Sequence, residues 1–80
     1  MPTVLHFKGL RFFFYSGDRW EPLHIHVERG SASGKIWLDP VSLGSSNGFS
    51  GADLSRILNL VRKRKKLMLR SWYEFFGHAE

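Results

Sequence analysis

The stretch Glu21-Pro22-Leu23-His24-Ile25-His26-Val27-Glu28 is the densest run of side chains able to do chemistry. A β-strand sends alternate side chains to opposite faces. Read as a strand, it puts Leu23, Ile25 and Val27 on a core face and His24, His26 and Glu28 on the other. An imidazole has an ordinary pKa of about 6.5, so a pair can supply one base and one acid at neutral pH. Metal-independent RNA cleavage needs that combination. One group takes the proton of a 2′-hydroxyl, and another protonates the leaving oxygen. The candidate catalytic residues are therefore His24, His26, Glu28 as an orienting carboxylate for His26, and Lys35. Lys35 or Arg11 would stabilise the charge building on phosphorus. Trp20 or Tyr15 would stack an unpaired base.

Two other readings stay open. In the first, the imidazoles share a metal, since residues two apart on a strand have Cα atoms roughly 6.6–6.8 Å apart. Glu28 lies roughly 13 Å along the strand from His24, too far for the same ion. A third ligand would have to come from His6 or His78. No metal site is assigned, and no cofactor is expected. In the second, the polar row is what any strand with one solvated face requires, and it serves as a surface or a protein-binding edge.

The surrounding elements must hold this row. Thr3 to Phe7 and Leu10 to Tyr15 read as strands joined across Lys8-Gly9. Phe12-Phe13-Phe14 suits a central strand covered on both faces. A polar loop runs from Ser16 to Pro22, and residues 29–34 form a Gly/Ser-rich connection. Lys35 to Leu38 is the next strand, ended by Asp39-Pro40. Val41 to Leu43 adds a short strand, and residues 44–48 read as a loop.

Ser50 fits a helix N-cap with Asp53 at the capping-box position, and Phe49 and Leu54 stand at staple offsets. Leu54, Ile57, Leu58 and Val61 then recur at helical spacing. The basic run Arg62, Lys63, Arg64, Lys65, Lys66 interrupts the pattern before Leu67, Met68, Leu69, Trp72, Phe75 and Phe76 resume it. That predicts either one bent helix or two helices breaking near Arg64, with Gly77 as the stop. The fold class is α+β: a small antiparallel sheet of three to five strands, then one or two C-terminal helices on one face. Arg11, Phe13 and Tyr15 share a face of their strand, as do Lys35 and Trp37. Whether these are the face of His26 depends on register, which the sequence leaves open.

Eighty residues make one domain, residues 1–80. A chain this short hides only roughly 60% of its unfolded surface, so its core must be dense. Seven Phe, three Trp and two Tyr supply that density. The absence of Cys excludes disulfides and thiolate metal sites and fits a reducing cytoplasm. No apolar run approaches the roughly 20 residues of a membrane span, and the first residues do not read as a signal peptide. A net charge of +5 favours an acidic partner, either nucleic acid or a small acidic protein. Arg62 to Lys66 is the candidate phosphate-binding patch, with Arg11, Tyr15 and Trp20 as further nucleic-acid contacts.

Several motifs occur together in order: Met1-Pro2-Thr3-Val4, RFFFY at Arg11 to Tyr15, EPLHIHVE, WLDPV at Trp37 to Val41, GFS at Gly48 to Ser50, and SWYEFFG at Ser71 to Gly77. On these the chain resembles the small bacterial family called domain of unknown function 4160. It departs from the family pattern at Leu23, where a second proline is usual, and in its basic rather than acidic run at Arg62 to Lys66. The resemblance implies a role in a two-component, toxin–antitoxin-like module without specifying the component. The expectation is a small cytoplasmic protein that binds or cleaves RNA through the His-x-His strand. The alternative is a non-enzymatic protein-binding module, an antitoxin or regulator, using the open sheet face.

Overall fold

The alternating first half of the chain becomes a five-stranded antiparallel sheet whose spatial order follows the sequence: β1 (Thr3–Phe7), β2 (Leu10–Phe13), β3 (His24–Arg29), β4 (Ala32–Leu38) and β5 (Val41–Asn47). Two helices follow, α1 (Gly51–Lys63) and α2 (Lys65–Phe76). The computed structural model describes residues 3–15 and 20–77. Residues 16–19 of the expected polar loop, and His78, lie outside the described residues. The expected α+β class and the strand-then-helix order are both present.

Lys8 and Gly9 turn β1 into β2 with positive φ values of 49° and 83°, the hand that two-residue hairpins favour. The connection expected over residues 29–34 is shorter: β3 runs to Arg29, Gly30 and Ser31 turn, and β4 begins at Ala32. The loop expected at 44–48 is largely strand, because β5 continues to Asn47. Serine and glycine are weak strand formers, but Ser33, Gly34 and Lys35 of β4 offer Asn47, Ser46 and Ser45 a ladder to complete. Gly44 is the extra residue of a bulge: Lys35 opposes Ser45 while Ile36 opposes Leu43. A Cβ on Gly44 would come within 3.0 Å of both the Lys35 carbonyl oxygen and Trp37 Nε1, so only glycine lets the Trp37 indole lie so close to the backbone.

One sheet face carries the core. Phe12, Phe14, Ile25, Val27, Ile36 and Leu38 are buried against Ile57 and Val61 of α1 and Met68 and Trp72 of α2, with Leu23 partly buried beside them. Burying such aliphatic and aromatic groups stabilises by about 1.5–3 kcal/mol each. The predicted cap is present. Ser50 Oγ accepts from the Asp53 amide at 3.0 Å, and an Asp53 carboxylate oxygen accepts from the Ser50 amide at 3.3 Å. Arg64 separates the helices, its amide donating to the Leu60 carbonyl, and Gly77 closes α2 with φ 81°. Of the two readings for the basic run, the chain adopts two helices.

Candidate functional site

Register decides what the open face holds. Phe13 opposes His26, and His26 opposes Lys35, which opposes Ser45. The neighbouring row is Arg11, Glu28, Ser33 and Asn47. Cross-strand partners point to the same side. The alternate residues of β2, β3 and β4 that the sequence left unassigned therefore converge on one face. They line a groove of about 360 Å3, with Tyr15, His26, Glu28 and Lys35 around a floor that includes Phe13 and Gly34, and with Ser45, Ser46 and Asn47 of β5 along one side.

Phe13 is only 3% exposed although it lies on the open face. His26 stacks on it at 5.5 Å between ring centroids and 24° between planes, and the Arg11 guanidinium lies 4.3 Å from its centroid. Tyr15 meets Phe13 edge-on at 5.2 Å and His26 at 4.7 Å. The triple-Phe run is therefore covered on both faces, by helices on one and by His26, Tyr15 and Arg11 on the other.

His24 departs from the expectation of a solvent-facing row, being 0% exposed. It opens β3 and opposes Trp37, but β2 ends at Phe13, opposite His26, so no ladder residue of β2 lies against His24. Trp72 of α2 reaches this corner. The His24 ring lies 5.5 Å from Trp72, 5.6 Å from Trp37 and 5.0 Å from His26, all edge-on. Its Nδ1 donates to the Pro22 carbonyl at 2.8 Å, which fixes the tautomer and the ring's orientation. His24 thus buttresses His26 from behind, and His26, half-buried, is the imidazole that lines the groove.

The cations of this face carry carboxylate partners. Lys35 Nζ lies 2.6 Å from Glu21 Oε1 and 5.0 Å from the Trp37 ring centroid. The same Glu21 oxygen is 3.9 Å from His24 Nδ1. Arg11 Nη1 donates to Glu28 Oε1 at 3.0 Å, and its Nε donates to Thr3 Oγ1 at 3.0 Å. Glu28 is thus oriented by Arg11 rather than serving to orient His26. Trp20 is 83% exposed at the start of the segment that leads into β3.

The basic run sits in the other layer. Arg62, Lys63, Arg64 and Lys66 are exposed at the junction of α1 and α2, and Lys65 reaches Asp39 of the β4–β5 turn at 3.5 Å. Residues 54–77 hold seven cations against the single acid Glu74, whereas residues 3–53 hold five of each sign. The positive charge of the chain is therefore concentrated on the helices, and the sheet half is balanced. Among the described residues no group of three or more His, Cys, Asp or Glu is placed to hold a metal ion. His6 lies on β1 opposite Arg11, at the far side of that strand pair from His24. No described helix is long and apolar enough to cross a membrane.

The sequence missed the β5 side of the groove, Ser45, Ser46 and Asn47. The period-2 spacing of Ser45 and Asn47 was the available signal, hidden by their low strand propensity. Glu21 opens the run singled out in the sequence but was given no role there, because it falls outside the strand proper.

The molecule is thus an α+β domain with one helix-covered sheet face and one open face carrying an aromatic and polar groove. The chain belongs to the family described as a domain of unknown function (DUF4160), whose model matches residues 9–73. No curated protein and no solved structure matches it.

Proposed function

We propose that this protein binds single-stranded RNA on the open face of its sheet, as one component of a cytoplasmic, two-protein, toxin–antitoxin-like module. The observation that carries the reading is the groove in which Tyr15 and His26 stand beside Lys35 and the polar side chains of β5. Single-stranded RNA is held where exposed rings meet unstacked bases and nearby donors meet its sugar and phosphate oxygens. The positive helix layer supplies long-range attraction that raises the local concentration of a polyanion. Its role is separate from that of the groove, since Lys35 and Arg11 are already paired with carboxylates.

A second reading, metal-independent cleavage, draws on the direct cross-strand placement of His26 and Lys35. His26 would take the proton of the 2′-hydroxyl as its oxygen attacks phosphorus, and Lys35, released from Glu21, would give a proton to the 5′-oxygen that leaves. His24 is a positioning residue in this scheme, because its ring is enclosed.

The test is titration of a fluorescent single-stranded RNA with wild type, Tyr15→Ala and His26→Ala at low salt, with a chelator present and the RNA analysed for breaks afterwards. Tighter binding by wild type than by either variant supports the reading, and breaks that vanish in His26→Ala support the second. No binding at low salt, or identical binding by all three, overturns it. The face would then be a protein interface, and a stable complex with a small acidic protein would be its signature.

A further inference from the structure

The groove ends at a carboxylate that is unusually well fixed for a half-exposed side chain. Arg11 holds Glu28 Oε1 at 3.0 Å. Arg11 is itself fixed twice, by Thr3 Oγ1 at 3.0 Å and by the Phe13 ring beneath it at 4.3 Å. A surface ion pair contributes little to stability when both chains swing freely. This one is built on a buried ring and a second hydrogen bond, which aims a negative charge rather than merely neutralising it. A carboxylate has about four lone-pair sites, and Arg11 Nη1 takes one.

We infer that this groove selects guanine, with Glu28 reading the base edge; the proposal rests on the RNA-binding reading of the same face. Of the four RNA bases, only guanine presents two adjacent N–H donors, N1–H and N2–H, on its Watson–Crick edge. A carboxylate accepts such a pair in parallel, as it does the fork of an arginine. Adenine and cytosine each put an acceptor beside their amino group, and uracil flanks its single N–H with two carbonyl oxygens. Each would turn at least one lone pair toward the carboxylate. The spacing suits a base: Glu28 is two residues along β3 from His26, roughly 6.8 Å between Cα atoms. A ring lying against Tyr15 and His26 thus brings its edge to Glu28. Discrimination against the wrong base then comes from repulsion as well as from the lost bonds.

The experiment compares an oligouridine containing one guanosine with the same oligomer containing one adenosine, each titrated against wild type, Glu28→Gln and Glu28→Asp. The readout is the affinity ratio within each protein, so a general loss of affinity does not disturb it. Wild type should prefer the guanosine oligomer by about five- to a hundredfold, the range for a good bidentate contact. The ratio should collapse toward one in Glu28→Gln, whose amide offers one acceptor and one donor, and persist in part in Glu28→Asp. A ratio of one in wild type, or an undiminished ratio in Glu28→Gln, overturns the proposal while leaving RNA binding in place. GMP and AMP titrated separately, followed by the ring resonances of Tyr15 and His26, distinguish the remaining failures. Selective shifts with GMP when neither oligomer binds would remove the RNA reading and keep the guanine groove. Equal or absent shifts would remove both.

Discussion

His24 and His26 differ by two positions in the sequence and by a full environment in the fold. His24 fills a corner between Trp37 and Trp72 and is tied to the Pro22 carbonyl. His24→Ala should therefore cost about 2–5 kcal/mol, as truncation of a large buried side chain does, and a denaturant titration will show it as a lower midpoint. His26 stacks on Phe13 but lines the groove, so His26→Ala should cost less stability and, under the proposed function, should lower RNA affinity. If the two variants melt alike, the division between a buttress and a groove residue is wrong. Arg11 and Glu28 belong to the same scale, because their ion pair is built on two neighbours, Thr3 and Phe13.

At the scale of elements, the start of α1 is where local chemistry is most explicit. Ser50 and Asp53 satisfy two helix-end amides reciprocally. Ser50→Ala should cost about 0.5–2 kcal/mol, read from thermal or denaturant unfolding. Asp53 is also bound by Arg29 at 2.9 Å. That hydrogen bond first, and the Ser50 amide next, lower its pKa below the ordinary aspartate value. A carboxyl depressed in the folded state contributes stability above its unfolded pKa of about 3.9 and loses it as pH falls through the folded value. Asp53→Asn should therefore narrow the gap in stability between neutral pH and the strongly acidic range. An unchanged pH profile between pH 7 and the acid limb would contradict this. In the sheet, Ile25 is fully buried beneath the helices, and Ile25→Ala should cost about 2–5 kcal/mol in the same assay.

Across the whole molecule, charge is divided between layers. The helices hold the surplus, while Arg11, Lys35 and Arg29 of the sheet pair with Glu28, Glu21 and, at the start of α1, Asp53. Under the proposed RNA-binding function, replacing Arg62, Lys63 and Lys66 together by Gln should weaken binding to every RNA sequence by a similar factor. It should also flatten the dependence of log affinity on log salt wherever those groups touch phosphate. Variants of Tyr15 or Glu28 should change affinity or base preference and leave the salt slope nearly as it was. A triple variant with wild-type affinity and slope would show that the helix layer faces no polyanion.

Local rules carried a long way in this chain. Alternation in Leu23 to Glu28, the Lys8-Gly9 turn, the Ser50 cap, the interruption at Arg64 and the Gly77 stop each depend on neighbours within a few positions, and each was legible in order of residues. The two faces of β3 were legible for the same reason, since the pleat alternates whatever lies beside it. Tertiary structure decided the rest. Only strand register could bring Arg11, Phe13 and Tyr15 beside His26 and Lys35, because a slip of one residue would have turned each row to the core. Only the ladder with β4 could make a strand of Ser45, Ser46 and Asn47. His24 was buried by Trp72, a residue 48 positions away that no periodicity links to it. Contacts between distant segments settle which member of a local pattern meets solvent, and here they gave one imidazole to the core and the other to the groove.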